Sequence, residues 1–179
     1  MILIITINQI PFHYFEFVKP IEDILERKNM EFETNDYKKI DRKQISSYDK
    51  IIIAGTSLRD NGFLVDIRKF DWIKQYDKPI LGICGGMHIL SMTYDGKLQK
   101  GQEIGLNQIT FEKEFLGTSI GNLEVYELHS FFAISEEFDI VASSEKCPQV
   151  VVHKDKPFYG VLFHPEVRNK KIIERFVTC

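Results

Sequence analysis

Short, continuous apolar runs mark the strands predicted in the first half of the chain. They occupy residues 1–8, 50–54 and 78–84, and each gives way to polar residues or glycine. Runs of this length that are rich in Ile and Leu are typical of strands buried on both faces of a sheet. A shorter and more polar segment, 31–36, predicts one further strand.

Segments of helical character lie between these strands. Residues 14–30 carry apolar residues at helical spacing, with Pro20 either kinking the helix or lying in its first turn. Residues 66–77 predict a second helix, and residues 85–95 a third that directly follows the strand 78–84. Strand and helix therefore alternate, which predicts a parallel sheet with helices on both faces.

The second half of the chain is predicted to be mainly β-structure. Strand-like pieces broken by Gly, Pro and Asp fill most of residues 97–163, and KDKP at 154–157 predicts a hairpin loop. A final helix is predicted over residues 168–177. The shift in character near Asp95 is interpreted as a change of layer, so a single domain covering residues 1–179 is expected.

Composition narrows the function classes. The 179 residues are 44% hydrophobic and 27% charged, with a formal net charge of −3, so neither nucleic acid nor an anionic membrane is expected as a partner. The N-terminal run lacks the flanks of a signal peptide, and no run reaches the roughly 18–20 apolar residues of a membrane span. Three cysteines are too few for a disulfide framework, which favours a reducing, cytoplasmic location.

A cysteine stands where a strand is predicted to turn into a helix, in KPILGICGGMHIL. Gly82, Gly85 and Gly86 lie within two positions of Cys84 and permit a tight turn. A turn of this kind lifts the sulfur clear of the sheet, places it at a helix N-terminus and frees backbone N–H groups to hold an oxyanion. The alternative, a small buried hydrophobic cysteine, leaves the three glycines unexplained.

A cysteine nucleophile needs a base, and a histidine oriented by a glutamate is predicted to supply it. In YGVLFHPEV an apolar strand ends at His164, and Glu166 follows two positions later. Residues i and i+2 of an extended segment point the same way, so Glu166 is placed to orient the imidazole towards Cys84. Taken alone, His-Pro-Glu is equally consistent with a surface turn; the predicted cysteine turn gives it weight.

Together these motifs resemble those of class I (triad) glutamine amidotransferases. PILGICGGMHIL is similar to the nucleophile motif of that family and YGVLFHPEV to its His-x-Glu motif. DKIIIAGTSLRD resembles the strand and glycine turn beside the oxyanion hole, and YELHSF places Ser130 and Phe131 where the family contacts the substrate backbone. The resemblance implies a flavodoxin-like α/β fold of three layers, with a mostly parallel central sheet, helices on both faces and an added antiparallel section.

The resemblance also implies a reaction. Cys84 would attack the side-chain amide carbon of glutamine, His164 would pass the thiol proton to the departing ammonia, and Glu166 would orient His164. Water would then hydrolyse the glutamyl thioester, and no cofactor is implied.

The substrate side of the site departs from the family pattern. The backbone N–H of Gly85 and one near Gly55 or Thr56 would hold the oxyanion, but Thr56 stands where the family commonly has Gly. Because Thr restricts the backbone, the oxyanion hole is expected to form on docking of a partner. His88 stands where the family usually has a Gln that helps to bind the amino-acid end of glutamine, so binding is weakened or the substrate differs.

The remaining histidines and cysteines leave alternatives open. His88 shares a helix face with Cys84 and either reaches it or lines the pocket with a backbone hydrogen bond. Two ligands are too few for zinc, so no metal site is predicted. His129 either lines the cleft or is structural, and Cys147 and Cys179 are interpreted as bystanders.

The leading prediction is a glutaminase subunit that supplies ammonia to a partner synthetase. No Walker-type glycine loop is present, so a separate chain is expected to bind ATP and the ammonia acceptor. Amidotransferase subunits such as that of archaeal-type GMP synthetase have this size and motif order. The alternatives are a hydrolase of γ-glutamyl compounds and a non-catalytic binding module, against which the three intact triad residues argue.

Overall fold

A computed structural model describes residues 1–179, and one nine-stranded sheet runs through them. The strands are β1 (Ile2–Thr6), β2 (Phe32–Asp36), β3 (Lys50–Ile53), β4 (Ile80–Ile83), β5 (Lys97–Phe111), β6 (Gly121–Ile134), β7 (Phe138–Ser143), β8 (Pro148–His153) and β9 (Phe158–Val161). The α-helices are α1 (His13–Phe17), α2 (Lys19–Arg27), α3 (Gly85–Thr93) and α4 (Lys171–Thr178), and 3₁₀ helices span Tyr37–Lys39, Ile45–Ser47 and Gly62–Gln75.

The sheet changes from parallel to antiparallel at β9. Its strand order is β2-β1-β3-β4-β9-β8-β7-β5-β6, and the strands from β2 to β9 in this order pair in parallel. The remaining strands pair antiparallel. The carboxyl ends of β3, β4 and β9 therefore lie side by side, and the chain leaves them at Gly55, Cys84 and His164. Ligands of open α/β sheets bind at this edge.

Apolar side chains fill both faces of the sheet, which confirms the predicted three-layer α/β fold. One core packs α2 and α4 against the sheet through residues such as Ile21, Leu25 and Phe176. The other packs α3 and the long 3₁₀ segment on the opposite face, through residues such as Leu90 and Phe70. Burial of these faces is the main contribution that holds the layers together.

The helix predicted over 66–77 is a 3₁₀ helix that begins earlier, at Gly62, and ends at Gln75. Its apolar residues pack on the core of that face: Phe63, Leu64, Ile67, Phe70, Trp72 and Ile73. Four of them, from Leu64 to Ile73, follow one another at intervals of three, and side chains at that interval are aligned in a 3₁₀ helix. The prediction of a helix is confirmed, with different bounds.

Two other predictions about the helices are settled by the structure. The first predicted helix divides at Val18, and Pro20 lies in the first turn of α2, where its missing N–H costs no hydrogen bond. Asp95, with φ of 61°, ends α3 and leads the chain into the antiparallel section. No helix here has both the length and the apolar character needed to cross a lipid bilayer.

Candidate active site

Cys84 occupies a strained turn between β4 and α3. Its backbone angles are φ 48° and ψ −103°, a region that residues other than glycine rarely adopt. Its N–H donates to the carbonyl oxygen of Val161 on β9 at 2.7 Å, which ties the turn to the neighbouring strand. The sulfur therefore stands at the N-terminus of α3, where the helix dipole favours negative charge.

The glycines around Cys84 allow the backbone to pass at close range. A Cβ atom at Gly82 would lie 2.5 Å from the carbonyl group of Gly86, and one at Gly86 would lie 2.3 Å from the carbonyl oxygen of Ile53. Backbone atoms cannot yield to such contacts as a flexible side chain does. Both glycines are thus required for α3 to start directly against the sheet.

His164 and Glu166 form a buried pair beside this turn. The distance between His164 Nδ1 and Glu166 Oε1 is 2.7 Å, and both side chains are fully buried. The backbone N–H of His164 donates to Tyr126 on β6, and the ring of Phe17 lies 5.1 Å from the imidazole centroid. The imidazole is therefore fixed from three sides, and Nε2 is the nitrogen left without a protein hydrogen-bond partner.

Gly55 brings the histidine and the cysteine together. A Cβ atom there would lie 2.7 Å from Cε1 of His164, 3.1 Å from its Nδ1 and 3.4 Å from Cβ of Cys84. The absence of a side chain at the end of β3 lets the imidazole lie against the backbone close to Cys84. We call Cys84, His164 and Glu166 the elbow cluster.

The imidazole of His164 favours its protonated form. Burial by itself lowers the pKa of His164, but the charges of Glu166 and Cys84 outweigh it, and the pKa is raised well above its ordinary value of 6.5. A protonated imidazole between a carboxylate and a sulfur stabilises the thiolate form of that sulfur. The elbow cluster is therefore suited to nucleophilic attack with later return of a proton.

The cleft above Cys84 is narrow. Its walls come from the loop after β3, the start of α3 and the middle of β6, and its volume is about 10 Å³, close to the least that holds one water molecule. The thiol of Cys84 donates to the carbonyl oxygen of Leu128 at 3.8 Å. The cleft must widen before an amino acid side chain reaches the sulfur.

The structure places all six predicted substrate-side residues around this cleft. Gly55 lies against the elbow cluster as described, and the others line the wall: Thr56, Gly85, His88, Ser130 and Phe131. Thr56 is buried and has no positive φ, so its backbone conformation here is one that Thr adopts without strain. Sequence reasoning missed Leu128 because its contribution is a backbone carbonyl, which no side-chain pattern reveals.

His88 lines the cleft and is satisfied by the backbone. Its Nε2 lies 3.0 Å from the carbonyl oxygen of Phe131. Burial lowers the pKa of His88 to about 4, with a smaller contribution from the charge of His129. The ring is therefore neutral near pH 7 and donates its single N–H to Phe131, which agrees with the pocket-wall interpretation.

A second group of ionisable residues lies within the antiparallel section. His129 Nε2 is 3.4 Å from Glu103 Oε2 and 3.2 Å from Glu127 Oε2, and the Cys147 thiol lies 3.4 Å from Glu103 Oε2. We call these four residues the hairpin cluster. Sequence reasoning missed it, although alternation places Glu127 and His129 on the same face of β6 as the buried Val125.

Comparison with known protein families gives a match over most of the chain. The family model "Glutamine amidotransferase class-I" matches residues 13–177. A GMP synthase [glutamine-hydrolyzing] of Photorhabdus laumondii is 35% identical over 118 residues, which is 55% of this chain and 22% of that protein. The enzyme of the same name from Francisella tularensis is 34% identical over 130 residues, 63% of this chain and 24% of that protein. The chain thus spans about a quarter of the length of these relatives.

Solved structures share the fold at lower sequence identity. A candidate GMP synthase subunit from Thermoplasma acidophilum superposes with a TM-score of 0.84 at 21% identity, covering 99% of this chain and 92% of that one. A glutamine amidotransferase from Thermotoga maritima gives a TM-score of 0.73 at 20% identity, covering 98% and 80%. These similarities establish the architecture of the chain.

Proposed function

Because this chain belongs to the class I glutamine amidotransferase family, we propose that it hydrolyses the side-chain amide of glutamine at Cys84 and supplies ammonia to a partner synthetase. The observation that carries this proposal is the geometry of the elbow cluster. A strained cysteine at a helix N-terminus lies beside a buried imidazole, and a carboxylate 2.7 Å away orients that imidazole.

The first half of the reaction forms a thioester. The Cys84 sulfur attacks the amide carbon, and the pair of electrons from the C=O bond moves to oxygen. The N–H of Gly85 at the start of α3, with one from Gly55 or Thr56, holds that oxyanion. His164 then gives its Nε2 proton to the nitrogen, the C–N bond breaks and ammonia leaves.

The second half regenerates the thiol. A water molecule gives a proton to the now neutral His164 and attacks the thioester carbon, and collapse of the tetrahedral intermediate breaks the C–S bond. The second proton of the water leaves with the new carboxyl group and passes to solvent as glutamate is released, and the proton on His164 is shared with the sulfur. Glu166 keeps the Nδ1–H of the ring in place throughout, so Nε2 always faces the reacting atoms.

Cys147 is a poor alternative nucleophile, although it also lies near a histidine and a glutamate. Burial, followed by the charge of Glu103, raises the pKa of Cys147 to about 12. Its thiol therefore stays protonated at neutral pH, and a thiol is far less nucleophilic than a thiolate. It lies at the turn between β7 and β8, without a helix N-terminus, and does not line the cleft above Cys84.

The narrow cleft supports control by a partner. A volume of about 10 Å³ does not admit glutamine, and the carbonyl of Leu128 covers the sulfur. We expect docking of the synthetase to displace this part of β6 and open the cleft. Glutaminase activity of the isolated chain should be low and should rise when the partner is added.

GMP synthetase is the leading candidate for that partner, since the relatives that match this chain carry the name GMP synthase. The test is to purify the proteins captured by the tagged chain and then to measure glutamate release with and without them. Wild type should be activated and Cys84→Ala should be inactive in both conditions. Full turnover by the isolated chain would disprove the coupled-chain model, and unchanged turnover of Cys84→Ala would disprove the nucleophile.

The environment of His88 favours one second candidate, a hydrolase of γ-glutamyl compounds. Its single N–H is committed to Phe131, so this position offers the amino-acid end of a substrate no donor of the kind that Gln provides. Comparing kcat/KM for glutamine with that for γ-glutamyl amides of varied amino-acid end decides between the two. A clear preference for glutamine eliminates the hydrolase.

A further inference from the structure

The hairpin cluster gathers four metal-ligand side chains in a buried layer outside the cleft. Glu103 lies on β5 directly opposite His129 on β6, and Glu127 lies two positions before His129. Cys147 reaches the same point from the turn between β7 and β8. None is more than 5% exposed to solvent, and buried ionisable groups are rare unless they are paired or bind a metal.

Hydrogen bonds within the protein satisfy Glu103 but leave His129 Nε2 and the Glu127 carboxylate unpaired. His129 Nδ1 lies 2.9 Å from the carbonyl oxygen of Gly101 and donates to it, so Nε2 is the ring nitrogen that faces the two carboxylates. Nε2 has no hydrogen-bond partner in the protein, and neither does either oxygen of Glu127. His129 Nε2 therefore lies 3.2–3.4 Å from one carboxylate oxygen of each glutamate, and a metal cation bound at this point would satisfy the unpaired atoms.

Three distances between ligand atoms are close to the edges of a zinc tetrahedron. Zinc–ligand bonds of 2.0–2.3 Å at tetrahedral angles imply edges of about 3.4 Å between N and O and about 3.6 Å between O and S. The measured distances are 3.4 and 3.2 Å from His129 Nε2 to the two carboxylates, and 3.4 Å from the Cys147 sulfur to Glu103. The ligand atoms of Glu103, His129 and Cys147 all lie within 4.8 Å of one another.

We propose that Glu103, His129 and Cys147 bind a structural zinc ion, and that the Glu127 carboxylate, 3.2 Å from His129 Nε2, turns towards the ion as its fourth ligand. A thiolate and an imidazole select zinc over magnesium and calcium, which prefer oxygen ligands throughout. Four protein ligands leave no open position, which is the mark of a structural site rather than a catalytic one.

Polar neighbours hold Glu103 in the orientation that the ion needs. The hydroxyl of Ser144 and the amide of Gln149 donate to Oε2 at 2.9 and 2.7 Å, and the amide of Asn107 donates to Oε1 at 2.6 Å. Supporting hydrogen bonds of this kind orient ligands in metal sites. Zinc displaces the thiol proton of a cysteine ligand when it binds.

The ion would fasten the strand that lines the cleft. It joins β5, β6 and the turn between β7 and β8 at His129, which is adjacent in sequence to Leu128, Ser130 and Phe131. These three residues line the cleft. The zinc site therefore sets the resting position of the part of β6 that covers Cys84.

The test measures metal in the full chain purified without chelator from zinc-supplemented medium, independently of any activity. The three cysteines supply matched variants: Cys147→Ser, Cys84→Ser and Cys179→Ser. We expect about one equivalent of zinc per chain in wild type and in the two control variants, and loss of zinc in Cys147→Ser. Replacement of zinc by Co²⁺ should give a thiolate-to-cobalt charge-transfer band that only Cys147→Ser lacks.

Two results would overturn the proposal. The first is that wild-type protein contains no zinc and gives no cobalt–thiolate band. In that case a shared proton or a buried water, and not a metal ion, satisfies the buried polar atoms of the cluster. The other is loss of metal in Cys84→Ser instead of Cys147→Ser. If Cys147→Ser does not fold, Glu127→Gln keeps the shape of the side chain, and its zinc affinity should fall at least about tenfold; an unchanged affinity would remove Glu127 from the site.

Discussion

The molecule contains two groupings of cysteine, histidine and glutamate, and their surroundings differ in every respect that matters for chemistry. In the elbow cluster, Cys84 stands on a strained turn at a helix N-terminus and borders a cleft. In the hairpin cluster, Cys147 lies in a buried turn between strands and donates to a carboxylate. The same three residue types therefore favour a nucleophile in one place and a metal site in the other.

The order of contacts within each cluster explains the difference. His164 lies between its carboxylate and its cysteine, so one nitrogen is oriented and the other faces the sulfur. His129 gives its Nδ1 to a backbone carbonyl and turns Nε2 towards two carboxylates. A nucleophile needs an imidazole that one group orients while the other nitrogen exchanges a proton with the reacting atoms, whereas metal ligands need to converge on one point.

The largest difference in turnover should appear when the cysteine of each cluster is replaced by serine. Cys84→Ser should lower glutaminase turnover in the synthetase complex by at least about 10³-fold, because the nucleophile is lost. Cys147→Ser should retain turnover below its unfolding temperature. A glutamine-analogue affinity label, located by mass spectrometry, should modify Cys84 alone. Modification of Cys147 instead would contradict the assignment of Cys84 as the nucleophile.

A second pair of variants separates orientation from stability. Glu166→Gln should lower kcat by about 10²–10⁴-fold with little change in KM, because the imidazole loses its orienting partner. Glu103→Gln should leave kcat nearly unchanged in the synthetase complex, where docking has already opened the cleft, but should lower the melting temperature by several degrees, about 2–4 °C for each kcal/mol lost. Equal effects of the two variants on kcat would contradict the distinction.

Gly55→Ala tests the contact that places His164. The new methyl group would meet the imidazole at 2.7 Å and displace the ring, which should cost about 10²-fold in kcat. Gly105→Ala is the control: Gly105 has φ of 94° and no neighbour within 4 Å of an added Cβ. It should lose stability from backbone strain but no turnover.

The effect expected to be smallest at neutral pH concerns His88, because it appears only at acidic pH. His88 lines the cleft, and the charge of His129 contributes to the lowering of its pKa. In the unfolded chain His88 takes up a proton below about pH 6.5, while in the folded chain its pKa is about 4. The unfolded state therefore binds more protons between these values. The free energy of unfolding should fall by about 3 kcal/mol from pH 6.5 to pH 4 on this account.

His88→Gln removes this titration. Urea unfolding at pH 7 and pH 4 should show a smaller acid loss in His88→Gln than in wild type, by about the same 3 kcal/mol. The other titrating groups are shared by the two proteins and cancel in the difference. Equal acid losses would mean that His88 is protonated in the folded protein.

Sequence patterns predicted most of the fold and the residues of the elbow cluster, and the reasons are physical. Buried parallel strands require unbroken apolar runs, and a strand-to-helix turn at close range requires Gly82 and Gly86. The apolar runs and the glycines each involve residues that are close together in the chain, so both can be recognised in the sequence. The apolar residues between Phe63 and Ile73 indicated a helix, but its 3₁₀ type did not follow from them.

The hairpin cluster was not predicted because its residues come from three separated points of the chain. Glu103 and His129 meet only when β5 and β6 pair in register, and Cys147 joins them from a later turn. Each residue alone has an ordinary surface or core interpretation. The narrowness of the cleft could not be predicted from the sequence either, because it depends on the position of the Leu128 carbonyl.

The parallel pairing of β9 with β4 has a consequence for how the protein is made. His164 is synthesised eighty residues after Cys84, and only this pairing, which closes a long loop of chain, brings them together. A growing chain that has emerged as far as α3 carries the thiol without its proton acceptor. Amide hydrolysis would begin only when the last strand has joined the sheet, so a half-made chain would leave cellular glutamine intact.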